Sequence, residues 1–347
     1  MHADKFTLPL IKWLIDEFGN ITNQHFLLLD AENIVFPNKG SYYIIKHPLK
    51  KHFINNTFQI FKCFYKADQI IMHGNPLLFY FFIFGFWVKK LGWIIYGGVD
   101  MENADKPGLN NIINKRIRCQ VLKRVLFHYT HIEGDSNWCN LTYHSKAKFV
   151  YSPVYLSNIP NLNNFLPVQN INNNEPINLL VGSSNDSSNN HIEIFGWLQK
   201  IRNNNLHIYC PLSYGGNEQY KENVKKAGYQ FFGERFKPLE HFMKYEEYQT
   251  FLRKIHLAIF NHKRQEAMGV TLSLIGNGKV VYMCPNTTAF ESLKSRGFVI
   301  FDNRLIQNKN EFYNLKNTEP NKEILEKYYS LTALKNSWNN IYYNLSS

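Results

Sequence analysis

Acidic residues are scarce in this chain: 27 Asp and Glu stand against 39 Lys and Arg, a formal net charge of +12 over 347 residues. Such a bias suits an anionic partner, and nucleic acid, an acidic membrane surface and a nucleotide substrate all fit that field. Cysteine is also sparse. Cys63, Cys119, Cys139, Cys210 and Cys284 are scattered, odd in number and without a CxxC pair, which argues against a disulfide framework or a zinc site and points to a reducing cytoplasm. Long apolar runs are missing as well. The best candidate, NPLLFYFFIFGFWVKK (75–90), has an apolar core from Pro76 to Val88, short of the ~18–20 residues that span a bilayer. It reads either as a buried or half-buried helix or as one lying with its aromatic face at headgroup level, Lys89 and Lys90 touching anionic lipid. The first residues, MHADKFTLPL, carry no signal-peptide pattern. No Walker loop, GxGxxG fingerprint or DxD triplet occurs anywhere, so no standard motif announces a nucleotide or metal site.

What is present is a globular composition, 44% hydrophobic and 16% aromatic, long enough for two domains with a core each. Residues 6–18 read as a helix with Phe6, Ile11, Leu14, Ile15 and Phe18 on one side and Gly19 closing it. HFLLLD (25–30), SYYIIKH (41–47), QIIMHG (69–74) and GWIIYGG (92–98) look like strands. SNIPNLNNFLPVQNINNNEPI (157–177), rich in Asn and Pro and without periodicity, reads as a linker. A second alternation follows, with strands at INLLVG, LHIYCPL, YQFF, LAIF and KVVYM and helices at HIEIFGWLQKI, EQYKENVKKAG, YEEYQTFLRKI and VTLSLIGNG. The expected fold is therefore α/β, with an N-terminal domain over 1–156, the linker, a C-terminal domain over 178–320 and a helical tail over 321–347 that packs back on the first domain. Two such halves would face each other across a cleft, and open α/β sheets bind ligands at their carboxyl edges.

Three loops leave strands of the second half through small polar residues. In VGSSNDSSNNH (181–191), Gly182 allows close backbone approach, Ser183, Ser184, Ser187 and Ser188 add hydroxyls, and Asn190 with Glu193 has capping-box spacing for a helix near His191. A solvent turn explains these residues about as well as a phosphate cradle at a helix N-terminus. In CPLSYGGNEQY (210–220), Tyr214 suits stacking on a base or sugar, and Gly215 a close approach. In LAIFNHKRQEAMGVTLSLI (257–275), His262, Lys263, Arg264 and Gln265 precede a helix opened by Gly269. Val270 and Thr271 would offer first-turn amides there, and Arg264 a bidentate contact to a diphosphate. In the first half, Asp4, His73 and Asp100 lie near strand–loop junctions, where a carboxylate or imidazole can act as a general base or simply cap local backbone. Asp135, in HIEGDSNW, is a helix cap by preference.

The loop series, together with HGNP, YGGVD, EGDSNW and SLTALKNSW in the same order, resembles the family 56 glycosyltransferases over nearly the whole chain. The resemblance implies GT-B architecture: two Rossmann-like domains with parallel sheets facing a cleft, the C-terminal one holding a sugar nucleotide. It implies transfer of a 4-acetamido-4,6-dideoxyhexose (Fuc4NAc) from a TDP-sugar to an undecaprenyl-diphosphate-linked saccharide, by a protein peripheral on the cytoplasmic face of the bacterial inner membrane. Donor contacts are carried onto Gly182, Ser184, Asp186, Ser188, Asn189, His191, Tyr214, Arg264, Gln265 and Gly269, with Ser183, Asn185, Gly215, Val270 and Thr271 beside them. A Trp-Gly-x-Asp stretch of the family is YGGVD here, with Tyr96 for Trp and one more residue before Asp100. Arg264 and the helix at Gly269 would stabilise the leaving diphosphate without metal or cofactor. Glu266 is followed eight positions on by Leu274, not by the second Glu of many retaining GT-B enzymes, which favours direct displacement with a general base. A related GT-B transferase using another sugar nucleotide is the alternative. An epimerase lacks its Tyr-x-x-x-Lys after GxGxxG, and an RNA-binding protein lacks a basic stacking platform, since the aromatics lie in apolar strands and helices.

Overall fold

The computed structural model describes residues 7–19, 24–29, 41–45, 53–74, 78–85, 90–97, 109–167, 175–201, 205–308, 312 and 317–346. Its chain divides into two compact units, residues 1–157 with 331–347 and residues 158–330.

The first unit contains α1 (Thr7–Phe18), β1 (His25–Leu29), β2 (Ser41–Ile45), α2 (Phe53–Lys66), β3 (Gln69–His73), α3 (Leu78–Phe84), β4 (Lys90–Ile94), α4 (Leu109–Leu122), β5 (Phe127–Thr130), α5 (Glu133–Tyr143) and β6 (Lys148–Tyr151). β1 and β2 pair parallel, and β3-β4-β5-β6 form a parallel sheet in chain order. Its core gathers Ile60, Phe64, Met72, Phe81, Trp93, Leu122 and Tyr143. Within the apolar segment at 75–90 the described residues include a seven-residue helix, α3, with Tyr80 and Phe81 buried and Phe79, Phe82 and Ile83 exposed. Lys90 does not end that helix; it opens β4, two residues ahead of the strand expected at Gly92. Asp135 is not a cap either. Ile132 holds the N-cap position of α5 without a side-chain bond, and Asp135 is buried in the first turn.

The second unit contains β7 (Ile177–Val181), α6 (His191–Ile201), β8 (Leu206–Pro211), α7 (Glu218–Phe232), β9 (Phe236–Leu239), α8 (Tyr245–Arg253), β10 (Leu257–Phe260), α9 (Met268–Gly276), β11 (Val280–Met283), α10 (Thr288–Ser295), β12 (Phe301–Asp302) and α11 (Pro320–Tyr328). β10 and β11 are buried at every residue, which their continuous apolar sequences LAIF and VVYM require of central parallel strands. The six parallel strands lie in the order β9-β8-β7-β10-β11-β12. The sheet thus winds one way from β7 and then the other way from β10.

Three sequence expectations change here. YQFF is the last turn of α7, not a strand; Asn217 caps the helix by accepting from the Tyr220 amide at 2.8 Å, and Val224, Gly228 and Phe232 bury one face. Gly228 has to be glycine because a Cβ there would sit 2.5 Å from the Phe236 ring of β9. The described part of the expected linker is packed structure. Leu166 donates its amide to Asn277 O at 3.3 Å, and the missing side chain of Gly276 leaves room for Pro160. The tail is divided: α11 belongs to the second unit and α12 (Leu331–Ser346) to the first. There Leu334, Trp338 and Ile341 are buried, Trp338 Nε1 donates to Val154 O at 3.2 Å, and Ser337 and Ser152 hydroxyls meet at 2.9 Å.

Candidate active site

β7 and β10 are neighbours, in register Leu257 with Leu179 and Ile259 with Val181, so both deliver their loops to one point of the carboxyl edge. This is where the strand order reverses, the place at which open parallel sheets leave a crevice. The Gly182 amide still donates to Ile259 O at 3.0 Å, and the backbone then turns through a left-handed φ of 71°. Any side chain at 182 would run into His191 Nε2.

Asn189, fully buried, organises the β7 loop. Its Oδ1 accepts from the Ser183 amide at 2.7 Å, the Ser183 hydroxyl at 3.3 Å and His262 Nε2 at 2.8 Å. Its Nδ2 donates to Ser184 Oγ at 3.2 Å and Asp186 O at 2.9 Å. Asp186 caps the short 3-10 turn Ser187–Asn189, accepting from the Ser188 amide at 2.9 Å, and that bond first of all holds its carboxyl below the usual range. Asn190 and Glu193 form no capping box. Asn190 takes a left-handed conformation (φ 50°) and donates to Ser188 O and Asn261 O, both at 2.9 Å, while Glu193 accepts from Asn261 Nδ2 at 2.8 Å.

The β10 loop brings Arg264 against Glu266, Nε to Oε1 at 2.6 Å and Nη2 to Oε1 at 2.5 Å. Ser188 Oγ donates to the other oxygen of Glu266 at 2.8 Å, and Asp186 lies 4.0 Å from Arg264. Arg264 is thus already neutralised by a carboxylate, and an arriving anion would share or displace Glu266. α9 opens at Met268, one residue before the expected Gly269, after Ala267 in a left-handed turn (φ 58°). The Thr271 amide closes the first intrahelical bond onto Ala267 O at 2.9 Å, and its buried hydroxyl has no partner. The amides ahead of that bond belong to Met268, Gly269 and Val270, so Val270 keeps its expected place and Thr271 does not. Gln265, Gly269 and Val270 are half-buried.

The β8 loop interlocks with the first. Asn185 donates its amide to Tyr214 O at 2.8 Å and its Nδ2 to Asn217 O at 3.0 Å, a Cβ at Gly215 would lie 3.5 Å from Ser184 Oγ, and Tyr214 is 49% exposed. His191 lies beneath the loop rather than on it. It is wholly buried, 3.1 Å from the Tyr220 hydroxyl through Nδ1, and burial pushes its pKa down to about 3. Burial likewise lowers His262, keeping it neutral.

Sequence reasoning missed a fourth loop. Cys284 and Thr287, after β11, join Phe260, His262, Arg264, Glu266, Met283 and Ala289 around a small cleft. It also missed Asn261 and Asn303, whose side chains bond to each other at 2.9 Å while Asn303 also donates to Phe260 O at 3.1 Å. The available signals were an Asn directly after a buried strand and Thr287 at the N-cap position ahead of the amphipathic TAFESLKS. Among the described residues no three His, Cys, Asp or Glu side chains gather as metal ligands do. In the first unit His73 ends β3 and is buried, Nδ1 3.1 Å from the Tyr155 hydroxyl and its ring stacked on Trp338; burial keeps it neutral. Asp4 and Asp100 lie outside the described residues.

The profile of 4-alpha-L-fucosyltransferase glycosyl transferase group 56 matches residues 10–302. The chain belongs to that family. This group 56 glycosyltransferase has the GT-B architecture, as solved structures of similar fold show. A glycosyltransferase from Rickettsia africae aligns with a TM-score of 0.71 at 13% identity, covering 100% of this chain and 97% of the other. HepE of Anabaena, in complex with UDP and glucose, aligns at 0.66 and 12% identity over 96% of each chain. An alpha,alpha-trehalose-phosphate synthase (UDP-forming) from Burkholderia vietnamiensis aligns at 0.63 and 9% identity, covering 96% and 97%. The group 56 enzyme is therefore a glycosyltransferase, and its β7–β10 crevice is the candidate site.

Proposed function

We propose that the enzyme transfers a 4-acetamido-4,6-dideoxyhexose from a TDP-sugar to a saccharide carried on undecaprenyl diphosphate, at the inner face of the bacterial inner membrane and without a metal ion. The carrying observation is the meeting of two polar loops at the β7–β10 reversal, where Ser188 and Asp186 of the first loop reach the Arg264–Glu266 pair of the second, two residues ahead of the open amides of α9. HepE, of the same fold, is described with UDP and glucose, which supports a sugar nucleotide as the ligand class.

In the step itself an acceptor oxygen forms a bond to the sugar C1 while the bond from C1 to the β-phosphate oxygen breaks, and TDP departs. Negative charge grows on the leaving oxygen. Arg264 and the amides of Gly269 and Val270 stabilise that charge, a role in which preorganised donors need no reorganisation. The acceptor hydroxyl gives its proton to a general base, for which Asp100, Asp4 and His73 are the candidates. His73, neutral in its present packing, has the protonation state of a base, but its ring is enclosed by Tyr155 and Trp338.

Thermal unfolding in TDP, UDP and their sugar conjugates tests the reading. TDP or its conjugates should raise the melting temperature of the wild type. In Arg264→Ala the affinity behind that shift should fall roughly 10- to 100-fold, the range of a lost hydrogen-bonded charge contact. Turnover on a lipid-linked acceptor should be unchanged by EDTA. An unmoved melting curve in millimolar TDP would sink the proposal, and a shift with UDP alone would transfer it to the alternative donor class.

A further inference from the structure

Helix α2 carries two apolar stripes. Ile60 and Phe64 face the core of the first unit and are 0% and 2% exposed. Ile54, Phe58, Phe61 and Tyr65, at the helical spacing i, i+4, i+7 and i+11, form the other. Of these Ile54 is 85% exposed, Phe58 68% and Tyr65 69%. Phe61 stacks on Tyr65 at 6.0 Å and meets Phe84 of α3 edge-on at 5.4 Å, which joins the stripe to the exposed Phe79, Phe82 and Ile83 of α3. Single exposed hydrophobic residues are ordinary, but six large ones on two packed helices form a patch that calls for a partner.

The charges on the helices of the patch have one sign, and exposed Asp68 follows α2. α2, α3 and α4, which pack in series, contain no Asp or Glu. Exposed Lys62 and Lys66 lie on α2 and exposed Lys115 and Arg116 on α4. A protein partner is commonly met by a rim of both signs, whereas lipid phosphates present one. α2, 14 residues long, spans about 21 Å and is too short to cross a bilayer, so its geometry fits a helix lying in the plane of the headgroups.

We propose that the α2–α3 face docks the enzyme on an anionic bilayer, its aromatic and isoleucine side chains at the acyl boundary and its lysines at the lipid phosphates. This deepens the proposal of a lipid-borne acceptor, on which it rests, by assigning the face that meets the lipid. The test is flotation of the full chain with vesicles of phosphatidylcholine alone or mixed with phosphatidylglycerol, without acceptor. The wild type should float with the mixed vesicles and more weakly with the neutral ones. Ile54→Ser with Phe58→Ser should lose at least tenfold in partitioning. Lys62→Glu with Lys66→Glu should lose binding only on the anionic vesicles, by roughly fivefold per lysine or more. Resistance of the first unit to limited proteolysis should be that of the wild type in both variants, which separates a docking defect from misfolding, and an unchanged thermal shift by TDP, read in the second unit, separates it from failure of the proposed chemistry. If the wild type ignores anionic vesicles, or both variants float as it does, the assignment is overturned. It is equally overturned if the apolar variant only dissolves a dimer seen by sedimentation.

Discussion

Asn189 shows how much one side chain can decide. It satisfies a backbone amide, two hydroxyls, an imidazole and a carbonyl from a wholly buried position. Asn189→Ala leaves several of those groups unpaired, at ~1–3 kcal/mol each. We expect a loss of about 3 kcal/mol or more in urea unfolding, and weaker TDP protection because the Ser183–Ser184 backbone loses its hold. Buried histidines give a second residue-scale prediction. Burial lowers His191 to about 3 and His128 to about 4 from an ordinary 6.5. Their contribution is therefore fully present above 6.5. As pH falls the unfolded chain takes up protons that the folded one refuses, so stability drops by up to ~1.4 kcal/mol per pH unit for each until the folded value is reached. Urea midpoints measured from about pH 7 to about pH 4.5 should fall steadily, and a flat profile would contradict neutral burial. Of these residues, the glycine and serines of the loop were readable from the sequence because their freedom and hydroxyls are local properties. Asn189 as hub was not, since its partner His262 lies 73 positions away.

At the scale of elements, hydrophobic periodicity located strands well where both faces are buried, as in LAIF and VVYM. It failed at YQFF, where an aromatic run of strand-like composition is the end of α7. Tertiary packing decided that case: Phe232 closes the buried stripe Val224–Gly228–Phe232, and Gly228 lets the helix settle on Phe236. Gly228→Ala tests the point, because propensity and packing oppose each other there. Alanine favours an isolated helix by ~1 kcal/mol, yet its Cβ would meet three atoms of the Phe236 ring at 2.5–2.6 Å. Overpacking of this kind costs ~1–3 kcal/mol, so the variant should be less stable in thermal unfolding. A more stable variant would show that propensity wins.

For the whole molecule, the last helix belongs to the unit that the chain left at residue 157. Removing residues 331–347 takes Leu334, Trp338 and Ile341 out of the first unit and frees Ser152 and the Val154 carbonyl. Such a truncation should make that unit sensitive to limited proteolysis, while the second unit, with its own core of Leu179, Phe195, Leu257 and Tyr282, keeps its TDP-induced shift. Simultaneous collapse of both responses would show that the units do not fold separately. The sequence by itself determined the parallel α/β class, the polar loops and the excess of positive charge, because these follow from local periodicity, small-residue chemistry and composition. Only the tertiary structure decided that β10 lies beside β7, that Arg264 is answered by Glu266, and that α2 turns a second apolar stripe to solvent. Those outcomes depend on which surfaces far apart in the chain are buried against each other, and pattern along one segment carries no record of the partner.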